Sequence, residues 1–108
     1  MADELGIRDA GEMNELLLEL QSALLGNVTA NLRMVSANAL EDLWEVHAFF
    51  DGPIAEEDKE NMSLVESELW AAARPSQRII MKIIRLDHPN PLPQDHQRAY
   101  RRQELQDL

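Results

Sequence analysis

Cysteine is absent from the 108 residues, which excludes disulfides, thiolate catalysis and cysteine-ligated zinc, and fits a reducing compartment. No apolar run approaches the roughly 18 residues of a membrane span. The N-terminus MADELGIRDAGEMNE is acidic and has neither the basic flank nor the apolar stretch of a secretory signal, so a cytoplasmic protein is expected. Gly6, Gly11, Gly26 and Gly52 are scattered, and none opens a phosphate-binding loop between a strand and a helix. Ser22, Ser36, Ser63 and Ser76 lie in no nucleophile-elbow context. Basic residues are scarce where acids are dense. Residues 1–73 hold sixteen acids against Arg8, Arg33 and Lys59, net -13; residues 74–108 hold four acids against seven bases, net +3; the chain carries a formal -10. The acidic part would repel nucleic acid and anionic membrane and attract a basic partner.

The length and the 44% hydrophobic, 28% charged composition suit one globular domain over 1–108. Met13, Leu16, Leu17, Leu20 and Leu24 recur at helical spacing, and Gly26 stands where a C-terminal cap would. Met62, Val65, Leu69 and Ala72 form a second stripe that Arg74-Pro75 ends. Between these helices, Val28, Ala30, Leu32 and Met34 alternate with polar residues, and after a turn near Asn38, Trp44, Val46, Ala48 and Phe50 do so again, a hairpin pattern. RIIMKIIRL, Arg78 to Leu86, reads as a central strand covered on much of both faces. The proline-rich loop 87–97 follows, and RAYRRQE, Arg98 to Glu104, reads as a last, exposed strand. The predicted fold is α+β: a two-layer sandwich in the order α-β-β-α-β-β, with both helices on one face of a four-stranded, mainly antiparallel sheet.

The acids Glu56, Glu57, Asp58 and Glu60 follow the turn Asp51-Gly52-Pro53. A helix N-terminus favours carboxylates by roughly 0.3–1 kcal/mol each, which explains the position of these acids. It leaves the net -13 unexplained, and a basic partner would explain that excess. Catalysis by paired carboxyls would need an enclosure that a solvated first turn does not offer. His47 falls on the outward parity of a strand. Asp87, His88, Asp95 and His96 share a loop without the spacing of a metal site, so no metal or cofactor is predicted. Arg98, Arg101 and Arg102 around Tyr100 have the composition of a nucleic-acid surface, but also that of a charged edge strand that pairs with the chain's own acids. Trp44 has core parity, while Trp70 lies off its helix's stripe, at a border or in an interface.

The succession LLGNVTANLRMVSAN (Leu24 to Asn38), FFDGPIAEEDKENMSLVESE (Phe49 to Glu68), IIRLDHPNPLP (Ile83 to Pro93) and RAYRRQE resembles small bacterial proteins encoded beside polymorphic toxins, including contact-dependent growth inhibition immunity proteins. That resemblance implies a non-catalytic antitoxin that binds the C-terminal toxin domain of a secreted effector in the cytoplasm. Many such toxins are nucleases with basic grooves, which an acidic surface can occupy. The expected contacts are Glu41, Asp42, Asp51, Glu56, Glu57, Asp58 and Glu60, with Trp70 as an apolar anchor. An acidic housekeeping adaptor, or a self-associating structural protein whose acids only maintain solubility, is the competing expectation.

Overall fold

The computed structural model describes residues 10–104, apart from the side chain of Ala10. Six elements follow one another: α1 (Ala10–Leu24), β1 (Leu32–Leu40), β2 (Leu43–Phe50), α2 (Glu56–Ala72), β3 (Arg78–Arg85) and β4 (Gln97–Arg101). α1 buries Met13, Leu16, Leu20 and Leu24, and Gly26 ends it at φ 80, the left-handed conformation that a residue without Cβ adopts at little cost. β1 runs through Asn38, and the hairpin turns later than its sequence suggests, at Glu41-Asp42. Leu40 pairs with Leu43 there, and Asp42 takes φ 59, which aspartate tolerates.

The sheet order is β3-β2-β1-β4, and the sheet is mixed rather than mainly antiparallel. β1 is antiparallel to β2 and β4, but β3 runs parallel to β2. The 17 residues of α2 return the chain to the start of β2, so β3 leaves in the same direction. β3 is also an edge strand, not a central one: Ile79 is buried, while Ile80 and Ile83 are exposed. Its β-branched content suits a parallel ladder packed against α2, which explains why it reads as central.

Trp44, Val46, Ala48 and Phe50 meet Leu32, Val35, Ala37 and Ala39 beneath both helices in one core. The expected parity of β1 fails at Arg33, where the ladder shifts register between Leu32 and Met34. Leu32 pairs with Phe50 towards the helices, whereas Met34 pairs with Phe49; both are buried but lie outside that core, on the opposite face. A bulge reverses the facing of every later residue. The opposite face is covered because the segment 87–97, leaving β3 at one edge and entering β4 at the other, crosses it as a strap. Its His96 ring lies 4.7 Å from that of His47. Two layers of regular structure thus carry a third, irregular one.

The bulge residue holds the strap. Arg33 is fully buried; its Nε and Nη2 donate to Glu104 at 2.7 and 2.9 Å, Nη1 donates to the Leu86 carbonyl at 2.6 Å, and Nη2 also reaches the Asn90 carbonyl at 3.0 Å. Arg102 adds a bond to Glu104 at 3.0 Å and reaches Asp51 at 2.8 Å. Arg33's hydrogen bonds, helped by Arg102 and opposed by burial, hold the Glu104 carboxyl down from 4.5 to about 2. A carboxyl depressed on folding contributes stability that is complete above its unfolded value and is lost as pH falls towards the folded one. The expected result is progressive weakening in acid between pH 4.5 and about 2, shallower in Glu104→Gln, read by urea titration at each pH. At pH 7, Arg33→Met should lower the unfolding free energy by roughly 3–5 kcal/mol, the cost of stranding a buried charge; the exposed Lys59→Met should change it by less than about 0.5 kcal/mol.

Candidate functional site

The carboxylates singled out by sequence divide by environment. Asp58 continues the buried stripe of Met62, Val65 and Leu69 and is 2% exposed. Thr29 Oγ1 donates to its Oδ1 at 2.6 Å, and Asn31 Nδ2 and the Ala55 N–H donate to its Oδ2 at 2.7 and 3.0 Å. The Ala55 bond is half a capping box, since alanine has no side-chain oxygen to answer it. Burial alone would raise the Asp58 carboxyl, but the donors from Thr29, Asn31 and Ala55 outweigh it and hold it below the usual range. Asp51 lies at the far end of β2, where Arg102 and the His88 N–H bind it and hold its carboxyl low. Both acids join parts of the fold.

Glu41 and Asp42 are exposed at the hairpin tip, beside the start of β3, where the Arg78 N–H donates to the Asp42 carbonyl. Glu56, Glu57 and Glu60 are exposed near the other end of α2, so the predicted acids do not form one patch. Helical spacing instead puts Glu56, Glu57, Glu60 and Glu68 together on the face of α2 turned away from the core, with Leu64 within it and Trp70, 47% exposed, along its margin. Trp70 Nε1 donates to Glu66 at 3.4 Å.

Four of the seven bases of residues 74–108 form ion pairs elsewhere. Arg74 reaches Glu12, Lys82 reaches Glu45, Arg85 pairs with Asp87, and Arg102 pairs with Asp51 and Glu104. On the outer face of α2, Lys59 pairs with Glu56 at 3.4 Å, while Glu57, Glu60 and Glu68 have no ion pair among the described residues. The macrodipole rewards carboxylates only in the first turn; near the last turn, where Glu68 stands, it penalises them. Glu68 therefore has no local structural reason; it was not among the expected contacts, and its place on the helical wheel is the sequence signal that could have found it.

Among the described residues no group of three or more histidines and acids is disposed to hold a metal ion, and no helix is long and apolar enough to cross a membrane. A cleft of about 390 Å³ between the end of α1 and β4 is lined by apolar residues with Gln21 and Tyr100 and has no acid, base or histidine. The division between internal and outward acids has a direct check by thermal or urea unfolding. Asp58→Ala, which leaves three donors without an acceptor, should cost roughly 1–3 kcal/mol, whereas Glu57→Gln should stay within about 0.5 kcal/mol of the parent.

A comparison with curated proteins finds no match. The family model described as MafI2 immunity protein matches residues 13–104, a span that takes in most of α1, all of α2, all four strands, the strap and the buried Arg33–Glu104 pair. The polymorphic-toxin immunity pattern that the sequence resembles and the matched family agree: the chain belongs to the MafI2 immunity protein family.

Proposed function

We propose that this protein neutralises a cognate toxin by covering it without chemistry, and that the toxin meets the outer face of α2. The observation that carries this reading is the set of glutamates on that face, Glu57, Glu60 and Glu68, left without ion pairs among the described residues while Arg74, Lys82, Arg85 and Arg102 pair with other acids. Like charges three and four residues apart cost a helix a few tenths of a kcal/mol per pair, so a surface that keeps them gains elsewhere. A basic groove of the toxin supplies that gain, and a nuclease domain at the C-terminus of a secreted effector has such a groove. Complementary potential accelerates encounter, and the bound acids exclude nucleic acid.

Trp70 supplies the apolar part of the contact, as tryptophan does at interface centres. Glu41 and Asp42, at the hairpin tip, form a separate acidic contact. Asp51 and Asp58 act indirectly, by holding the helix and its neighbours in place. The encounter takes place in the cytoplasm.

The test is surface plasmon resonance against the toxin domain encoded beside this gene, over a range of salt. Glu57→Gln/Glu60→Gln/Glu68→Gln should slow association about tenfold or more at low salt and flatten its salt dependence. Trp70→Ala should act mainly on dissociation, weakening binding by about thirtyfold. An unchanged association rate and salt slope in the triple variant would remove the acidic face as the binding surface. A parent that binds no toxin domain and protects no cell expressing it would favour the acidic adaptor instead.

A further inference from the structure

The cleft between α1 and β4 is unlike the rest of this acidic surface. Leu25, 79% exposed, stands one residue past α1 on the turn that Gly26 closes, and it borders a hollow of about 390 Å³ floored by Leu24, Val28, Ala99 and Tyr100. Leu18, 66% exposed, lies seven residues earlier on the same side of the helix, and Asn14, Gln21 and Ser22 share that outward side with it. None of these residues is charged; Glu15 sits at the margin.

We propose that this face is where a second copy of the chain docks, forming a two-fold dimer in which Leu25 of each copy enters the hollow of the other. Two arguments select that occupant. A knob adjoining a hole on one surface is self-complementary under a two-fold axis, because each copy offers both halves of the same contact. Charge is the second: copies with a formal net charge of -10 repel one another, and they approach most readily where the surface carries little charge. The outward side of α1 around Leu18 and Leu25 carries Glu15 alone among its described residues, and homodimer contacts are likewise depleted in charge. A basic partner is drawn to α2 instead, so the dimer goes beyond the toxin-binding reading and does not depend on it.

Analytical ultracentrifugation of the full chain across a wide concentration range tests this. The parent should sediment at twice its 12.3 kDa, and added salt should leave the dimer intact or tighten it. Leu25→Glu, at a position too exposed to affect folding, should weaken the dimer roughly a hundredfold or more by placing a charge in the apolar hollow. Leu18→Glu should weaken it too, and both variants should keep the parent's melting temperature at low concentration and still capture the toxin domain. A parent that is monomeric at every concentration overturns the proposal, as does a Leu25→Glu variant that dimerises like the parent. A Leu25→Glu monomer that has also lost the toxin domain would assign the cleft to the toxin. The α2 triple variant separates the two readings: if it dimerises normally yet captures toxin as the parent does, the acidic-face reading fails and the dimer stands.

Discussion

The arrangement of this protein depends on one buried guanidinium. Arg33 enters at a β-bulge, away from water, and must have its charge and donors satisfied within the fold. Glu104, seventy-one residues later, supplies the charge, and the carbonyls of Leu86 and Asn90 take donors that the carboxylate leaves over. An unpaired buried charge is costly, so the pair is a condition on the whole chain. β4 must reach Glu104, and the segment after β3 must cross the sheet near Arg33. Asp51 and Arg102 extend this network to the end of β2, and Asp87 joins it by accepting from the Gly52 N–H. Removing water from the open face of the sheet follows from that crossing: Met34 and Phe49 are buried there without a helix above them.

This network also sorts the charges. Four bases of the final third meet acids from several parts of the chain, and none of these pairs involves α2. The acidic excess counted along the sequence is thus only partly a surface property. Asp51, Asp58 and Glu104 belong to the interior or its rim, while Glu57, Glu60 and Glu68 define a field that faces outward. The sparsely charged flank of α1 around Leu18 and Leu25 stands apart from that field.

Local periodicity made much of this legible. The buried residues of α1, the Gly26 terminus, the inward row Trp44, Val46, Ala48 and Phe50, and the Met62, Val65 and Leu69 stripe all follow from residue spacing, because one face of each element meets the same core. Ala72, counted in that stripe, is exposed, since α2 ends there and Ala73 packs against the core instead. The direction of β3 was not legible: RIIMKIIRL fits either orientation, and the length of the preceding helix, not the strand's composition, settles it. The bulge at Arg33 was hidden for a similar reason, since Leu32 and Met34 look alike to a pattern of period two. Asp58 read as a solvated first-turn acid because Thr29 and Asn31, which bury it, lie 29 and 27 residues away.

The bond from Asp58 back to Thr29 and Asn31 has a consequence for recognition. It fastens the first turn of α2 to the segment that leads into β1, while Met62, Val65 and Leu69 fix the rest of the helix on the sheet. The glutamates opposite are then displayed from a rigid backbone whose position is settled before any encounter. For the docking proposed above, little main-chain freedom remains to be lost, and only side chains need to be ordered.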